Sequence, residues 1–346
     1  MEIGSGRYCK VKWGIKMKTG KRYPWIDVLY SIGIILVIFG HSHPSDWSVF
    51  SGTIFEKLII FIYTFHMPLF FFIAGFLFMN SNAIGKNGYG KWIKEKCIRL
   101  LTPYVVLSVI ALIPKYYLEH HAFITIKVFV EAICIPRIGV WGHFWFIPVL
   151  LLCYAIFGMW RTKTNKKNIG NMLSIITFIS LIAHFIPFST QWLGINDLKS
   201  VCIYFCIGMW AKYLERYGLE VSKVFRWCEI IAGLIVAFVL NHFIKNSVSA
   251  FVVSILMIFV CFQWAKIINN SKLATWVSQN NFTIYIYSWL FQAVVMAICG
   301  ILGVKWYFTS ILMFLVGFIG PISLIYIYKK FRFIHNRFFE IILGMK

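Results

Sequence analysis

The chain has 346 residues, of which 60% are apolar or aromatic and only 13% charged, with a mean hydropathy of +0.76. Soluble proteins carry about a quarter charged residues, and 34 Phe, 17 Tyr and 14 Trp exceed what one aqueous core can hide. A soluble enzyme, a disordered chain and a disulfide scaffold are therefore excluded, and lipid must cover much of the surface.

Charge sharpens this. The 34 Lys and Arg against 12 Asp and Glu give a net +22, but the basic residues sit in short clusters between apolar runs. That pattern suits anionic lipid headgroups and excludes nucleic acid as the partner.

A membrane-crossing helix needs about 20 mostly apolar residues. In chain order the runs that meet or approach this are 28–41, 58–79, 100–118, 143–160 and 172–188. They continue with 198–214, 230–244, 246–265, 282–300 and 306–328. The sequence predicts an all-α bundle of ten transmembrane helices. An eleventh run, 122–135, is shorter, holds Lys127 and Glu131, and reads as an interfacial or re-entrant segment. β-barrel strands would be half as long and alternate in polarity, and no such pattern occurs.

Loop charges give an independent check. With both termini cytoplasmic, the outer side carries only Lys57, Lys115, Lys127, Arg137, Lys199, Lys245 and Lys305, and every other Lys and Arg falls inside. That asymmetry alternates loop by loop, and counting 122–135 as a span would destroy it. The expected organisation is a basic cytoplasmic tail over 1–22, a ten-span domain over 23–330 and a basic cytoplasmic tail over 331–346. No stretch leaves room for a sizeable extramembrane domain, so the chemistry belongs to residues inside the bundle or at its rims. The placement expected is the plasma membrane.

Ionisable groups in the apolar runs are costly and therefore functional candidates. In the first run Asp27 and His41 are 14 residues apart, about 21 Å of helical rise. Asp27, Tyr30, Ile34, Ile38 and His41 share one stripe, with Asp27 at the cytoplasmic end. A histidine in the outer half can act as a general base or an acyl carrier; the plainer reading is a histidine at the headgroup level. The second run holds His66 and Pro68, a helix-breaking pair that needs polar neighbours, and His66 is expected near the midplane. Glu56 and His143 join His41 at the outer rim as an acceptor mouth, with Glu56 placed to orient an imidazole. His41-x-His43 has no third partner at metal-ligand spacing, so no metal is expected. Nine cysteines occur without a C-x-x-C pair, and no disulfide framework is predicted. No phosphate loop and no Gly-x-Ser-x-Gly elbow occurs.

Asp27…Gly40-His41 followed by Phe65-His66-Met-Pro68-Leu-Phe-Phe-Phe-Ile-Ala-Gly75-Phe resembles the acyltransferase-3 family of integral-membrane acyltransferases, in particular its sugar O-acetylase branch. Lys96-Cys-Ile-Arg99-Leu-Leu-Thr-Pro103-Tyr104 is similar to the family's basic motif before the third span. His143-Phe-Trp145-Phe-Ile-Pro148 and Ile284-Tyr285-Ile-Tyr287-Ser288-Trp289-Leu-Phe-Gln292 resemble two later ones. The resemblance implies transfer of an acyl group, commonly acetyl from acetyl-CoA, to a hydroxyl of a surface or lipid-linked glycan. No permanently bound cofactor is implied.

By the same resemblance His41 is the essential histidine; Asp27, His66 and Glu56, ionisable groups within or at the rim of the spans, are the further catalytic candidates. Lys96 and Arg99, with Tyr30, would meet the CoA phosphates. His143, Trp145, Tyr285, Tyr287 and Ser288 would face the substrate or supply oxyanion donors. Two positions depart from the pattern: Tyr30 stands where the family usually has Arg or Lys, and Ser288 where many members have His or Gly. A basic role for His41 predicts that activity falls below about pH 6. Two other classes use the same features. A glycan or lipid transporter would line its path with Asp27, His66 and Glu131, and a non-catalytic envelope-biogenesis protein would need none of them.

Overall fold

Several helix starts in the computed structural model fall where a side chain takes over unpaired backbone groups, and others open on proline or glycine. The structure describes residues 22–121, 123–139, 141–164, 168–215, 222–244, 246–331 and 336–345. The basic tail over 1–21 lies outside the described residues, as do 332–335 and 346 of the C-terminal tail.

The first helix, α1 (Pro24–Gly40), opens on a proline whose missing N–H costs nothing in a first turn. Thr53 caps α2 (Ile54–Asn80) by accepting from the Glu56 N–H at 3.2 Å. A short α3 (Ala83–Asn87) turns through Gly88, whose φ of 73° favours glycine, into α4 (Tyr89–His120). Thr125 caps α5 (Ile126–Cys134), and a 3-10 turn over Gly142–Trp145 leads into α6 (Phe146–Lys163). Next come α7 (Ile169–Phe185), α8 (Ile195–Leu214), α9 (Lys223–Phe243) capped by Ser222, and α10 (Ser247–Ile268) behind an Asn246/Ser249 capping box. The chain closes with α11 (Lys272–Gln279), α12 (Asn281–Ile301), α13 (Trp306–Lys330) and α14 (Arg337–Ile342).

Among the described residues the fold is all-helical, and seven helices are long and apolar enough to cross a membrane. They are α2, α4, α6 with its 3-10 lead, α9, α10, α12 and α13. α1 and α7 are apolar but only 17 residues each, and α8 carries Asp197, Lys199 and Lys212. The stretch 122–135 forms only the nine-residue α5. α4 and α9 begin well before their apolar runs, because an apolar-run criterion marks only hydrocarbon-length sequence and these helices continue through basic turns.

α2 is the central helix. Pro68 cannot donate to the Thr64 carbonyl four residues back, and the Ser254 hydroxyl of α10 donates to that oxygen at 2.5 Å. The helix therefore runs through the proline. Its other partner, α8, is in backbone contact: a Cβ on Gly75 would stand 2.0 Å from the Phe205 carbonyl oxygen, and one on Gly208 would stand 2.0 Å from that of Phe72. Small residues permit this approach where lipid gives no hydrophobic drive between helices. α1 crosses α2 with Gly33 under the Phe70 ring and Gly40 under Tyr63. On the periphery, α9 buries Ile230 and Ala237, while Ile235 and Phe238 are 59% and 68% exposed, an apolar face suited to lipid.

Candidate active site

The last turn of α1 delivers His41. A helix end leaves four carbonyls without intrahelical donors, and all four are filled here. His41 N–H donates to Val37 at 3.1 Å and Ser42 N–H to Phe39 at 3.0 Å. The Ser42 hydroxyl donates to Ile38 at 2.6 Å, joined there by the Gln292 amide of α12 at 2.9 Å. The Tyr63 hydroxyl of α2 donates to Gly40 at 2.6 Å. The backbone around His41 is thus gripped from two other helices.

Its imidazole faces other rings. The His41 ring centroid lies 5.8 Å from His143, 6.5 Å from His66, 5.9 Å from Tyr63 and 5.7 Å from Trp289. His66 Nδ1 donates to the Ile62 carbonyl at 2.9 Å, which leaves Nε2 unprotonated in the neutral ring. His143 is stacked beside Trp141 at 6.1 Å, and its Nε2 is buried with no hydrogen-bond partner. Buried polar atoms are normally paired, so this nitrogen marks a place for a polar ligand. His66, midway along α2, therefore stands level with the end of α1, beside His41.

On the other side of this cluster lies a cavity of about 90 Å³ lined by Tyr30, Ile34, Phe70, Lys96, Arg99, Tyr154 and Tyr285 among others, with no carboxylate in its wall. The Lys96 ammonium lies 4.5 Å from the Tyr154 ring centroid, and Arg99 Nε is buried without a partner. Two cations in a wall that offers no anion suit a phosphate-bearing ligand. Tyr285 joins the two regions: it lines the cavity and donates its hydroxyl to the His143 carbonyl at 2.5 Å.

The remaining candidates lie elsewhere or are already engaged. Asp27 pairs with Arg22 at 2.8 Å and accepts from the Thr275 hydroxyl at 3.3 Å, at the opposite end of α1 from His41. Glu56 orients no imidazole; its carboxylate accepts from the Gly52 N–H at 2.7 Å in the turn before α2. Trp145 is held between Phe71, stacked at 6.3 Å, and the Arg137 guanidinium at 4.6 Å, which is itself paired with Asp197 at 2.6 Å. Tyr287 donates to the Ile342 carbonyl at 3.3 Å beside α14, and Ser288 turns back to its own helix at Tyr285. In the loop between α1 and α2 Asp46 accepts from the Ser48 hydroxyl and N–H, bonds that hold its carboxyl below the usual range.

Sequence reading missed Tyr63, Trp289 and Gln292 as members of this site. Tyr285, Trp289 and Gln292 are spaced by four and three residues, one stripe of α12 that faces α1. That spacing was available in the sequence. Tyr63 carried no comparable signal, because its role depends on how α1 and α2 cross.

A neutral imidazole beside an unpaired polar nitrogen, joined through Tyr285 to a basic cavity, can take a proton from a hydroxyl. Comparison with known proteins points the same way. The nodulation protein NolL of Mesorhizobium japonicum is 25% identical over 227 residues, 64% of this chain and 56% of that relative. The chain thus spans little more than half the length of the curated relative it matches. No solved structure matches the chain. The family model described as an acyltransferase domain matches residues 23–330, and with nearly the whole chain covered, the protein belongs to the acyltransferase-3 family.

Proposed function

We propose that the protein is an integral-membrane O-acyltransferase that moves an acetyl group from acetyl-CoA to a hydroxyl of a cell-surface or lipid-linked glycan. It crosses the plasma membrane ten times with both ends in the cytoplasm, the arrangement favoured by the Lys and Arg asymmetry. The observation that carries this reading is Tyr285, which belongs to the wall of the Lys96–Arg99 cavity and to the His143 turn. A donor held by its phosphates at the basic end would present its thioester toward the histidines.

The chemistry balances with the chain's own groups. The acceptor oxygen attacks the thioester carbonyl carbon, forming the C–O bond as the C–S bond breaks. His41 takes the hydroxyl proton and returns it to the departing thiolate, so the products are an ester and a free thiol. The unpaired His143 Nε2 is a polar atom available beside His41 to bind the acceptor or the developing oxyanion.

The test is transfer of label from acetyl-CoA by purified protein to cell-surface glycan extract, wild type beside His41→Ala. Label that reaches the glycan only with His41 present supports the reading. No transfer from folded wild-type protein with any short acyl-CoA overturns it in favour of transport or a non-catalytic role.

A further inference from the structure

Gln292 lies on α12 one turn beyond Trp289 and is fully buried. Both hydrogens of its amide are used, one on the Ile38 carbonyl at 2.9 Å and one on the Ser42 hydroxyl oxygen at 2.8 Å. The Ser42 hydrogen goes to Ile38 at 2.6 Å, which closes a ring of three hydrogen bonds around the turn that ends in His41. Its own Oε1 is buried with no partner. A buried amide left half satisfied adds little to stability, and Met or Leu would fill the same space without that cost. The packing around it leaves little room for drift, since a Cβ on Gly317 of α13 would meet Ile38 Cγ2 at 2.9 Å and the Gln292 side chain at 3.0 Å.

His41 needs such a grip. Its ring meets the aromatic groups and histidines described above, and among the described residues the titratable groups acting on it are all histidines, with no carboxylate to orient the imidazole. Orientation must therefore come through the backbone. The hydroxyl of Tyr63 fixes the Gly40 carbonyl from α2, and Gln292 fixes Ile38 and Ser42 from α12.

We infer that Gln292 is a positioning residue, which sets the direction of the His41 imidazole by tying the last turn of α1 to α12. The inference rests on His41 as the base of the proposed reaction. It predicts that Gln292→Met, close in volume but without donors, lowers kcat about ten- to a hundredfold. The KM for acetyl-CoA stays at the wild-type value, because the Lys96–Arg99 cavity is untouched. Amide hydrogen exchange at His41 and Ser42 quickens in the variant while the rest of α12 and α13 keeps its protection. Ser42→Ala, which removes one arm of the ring, gives a smaller drop in kcat of the same kind and serves if Gln292→Met does not fold.

The two readings separate cleanly. Transfer that survives in His41→Ala overturns the base and this inference with it. Transfer abolished in His41→Ala but at wild-type kcat in Gln292→Met, or in Ser42→Ala where only that variant folds, overturns the role of Gln292 alone. Exchange that rises throughout α12 and α13 would make Gln292 a packing residue and overturn it as well.

Discussion

His41 and His143 hold their rings 5.8 Å apart although they come from the end of α1 and the turn before α6. At that separation, tilted by 54°, the two imidazoles are in ring contact with each other. Tyr285, bonded to the backbone of one of them, opens on its other side into the basic cavity.

His41→Ala lowers acyl transfer by about 10² to 10⁴, the range expected for loss of a general base. Activity of the wild type falls as the pH is lowered, because the protonated imidazole cannot accept the hydroxyl proton. The acid limb of the rate profile disappears in the variant. A steady-state profile from pH 5 to 8 checks both, and an unchanged acid limb in His41→Ala would assign the titration to another group.

Lys96→Ala and Arg99→Ala raise the KM for acetyl-CoA about tenfold or more each, as expected for loss of a charge-assisted contact to phosphate. The residual kcat is affected less, because neither side chain reaches the histidines. Replacing acetyl-CoA by an acetylated pantetheine, which lacks the nucleotide phosphates, should erase the difference between wild type and variants. A difference that persists would place the two cations elsewhere in the reaction.

Ser254→Ala strands the Thr64 carbonyl that Pro68 cannot serve, a loss of about 1–3 kcal/mol for a buried acceptor. Pro68→Ala restores an N–H to that carbonyl and should recover most of the loss in the double variant. Thermal unfolding of the four proteins in detergent measures the coupling. Additive effects would mean that the hydroxyl and the proline act independently.

The fold was legible where physics is local. Length and hydropathy located the core of every long helix, and the clusters of Lys and Arg marked their ends. His41 does meet His143, and Tyr30 does meet Lys96 and Arg99, as expected; what failed was the engagement of individual side chains where helices meet. Glu56 looked like a partner for an imidazole because both lie at one rim, but its carboxylate is satisfied within its own turn by Gly52. Trp145 reads as a substrate platform in sequence, while Arg137 and Phe71 already occupy its faces. His66 is central along α2 as the sequence suggests, but that the end of α1, ten residues shorter, falls level with it could not be read there. The stripe of Tyr285, Trp289 and Gln292 was periodic and could have been found; the capping by Tyr63 required the crossing of two helices.

Gly208→Ala should destabilise the protein by about 1–3 kcal/mol or more, since the added methyl meets the backbone of Phe72 at 2.0 Å and no side chain can yield. Gly303→Ala, where nothing lies within 4 Å, is strained by its φ of 62° alone and should cost less. Melting temperatures of the two variants side by side check the order.

With Gly75 and Gly208 locking their backbones to Phe205 and Phe72, α2 and α8 cannot slide past each other without breaking apart, so they travel as a single rigid spine. The seam between α1 and α12 is closed instead by side chains, Gln292 against Ile38 and Ser42. Gly33 and Gly40 seat α1 on this spine under Phe70 and Tyr63, so the spine is the fixed post from which the turn at His41 is held out toward α12.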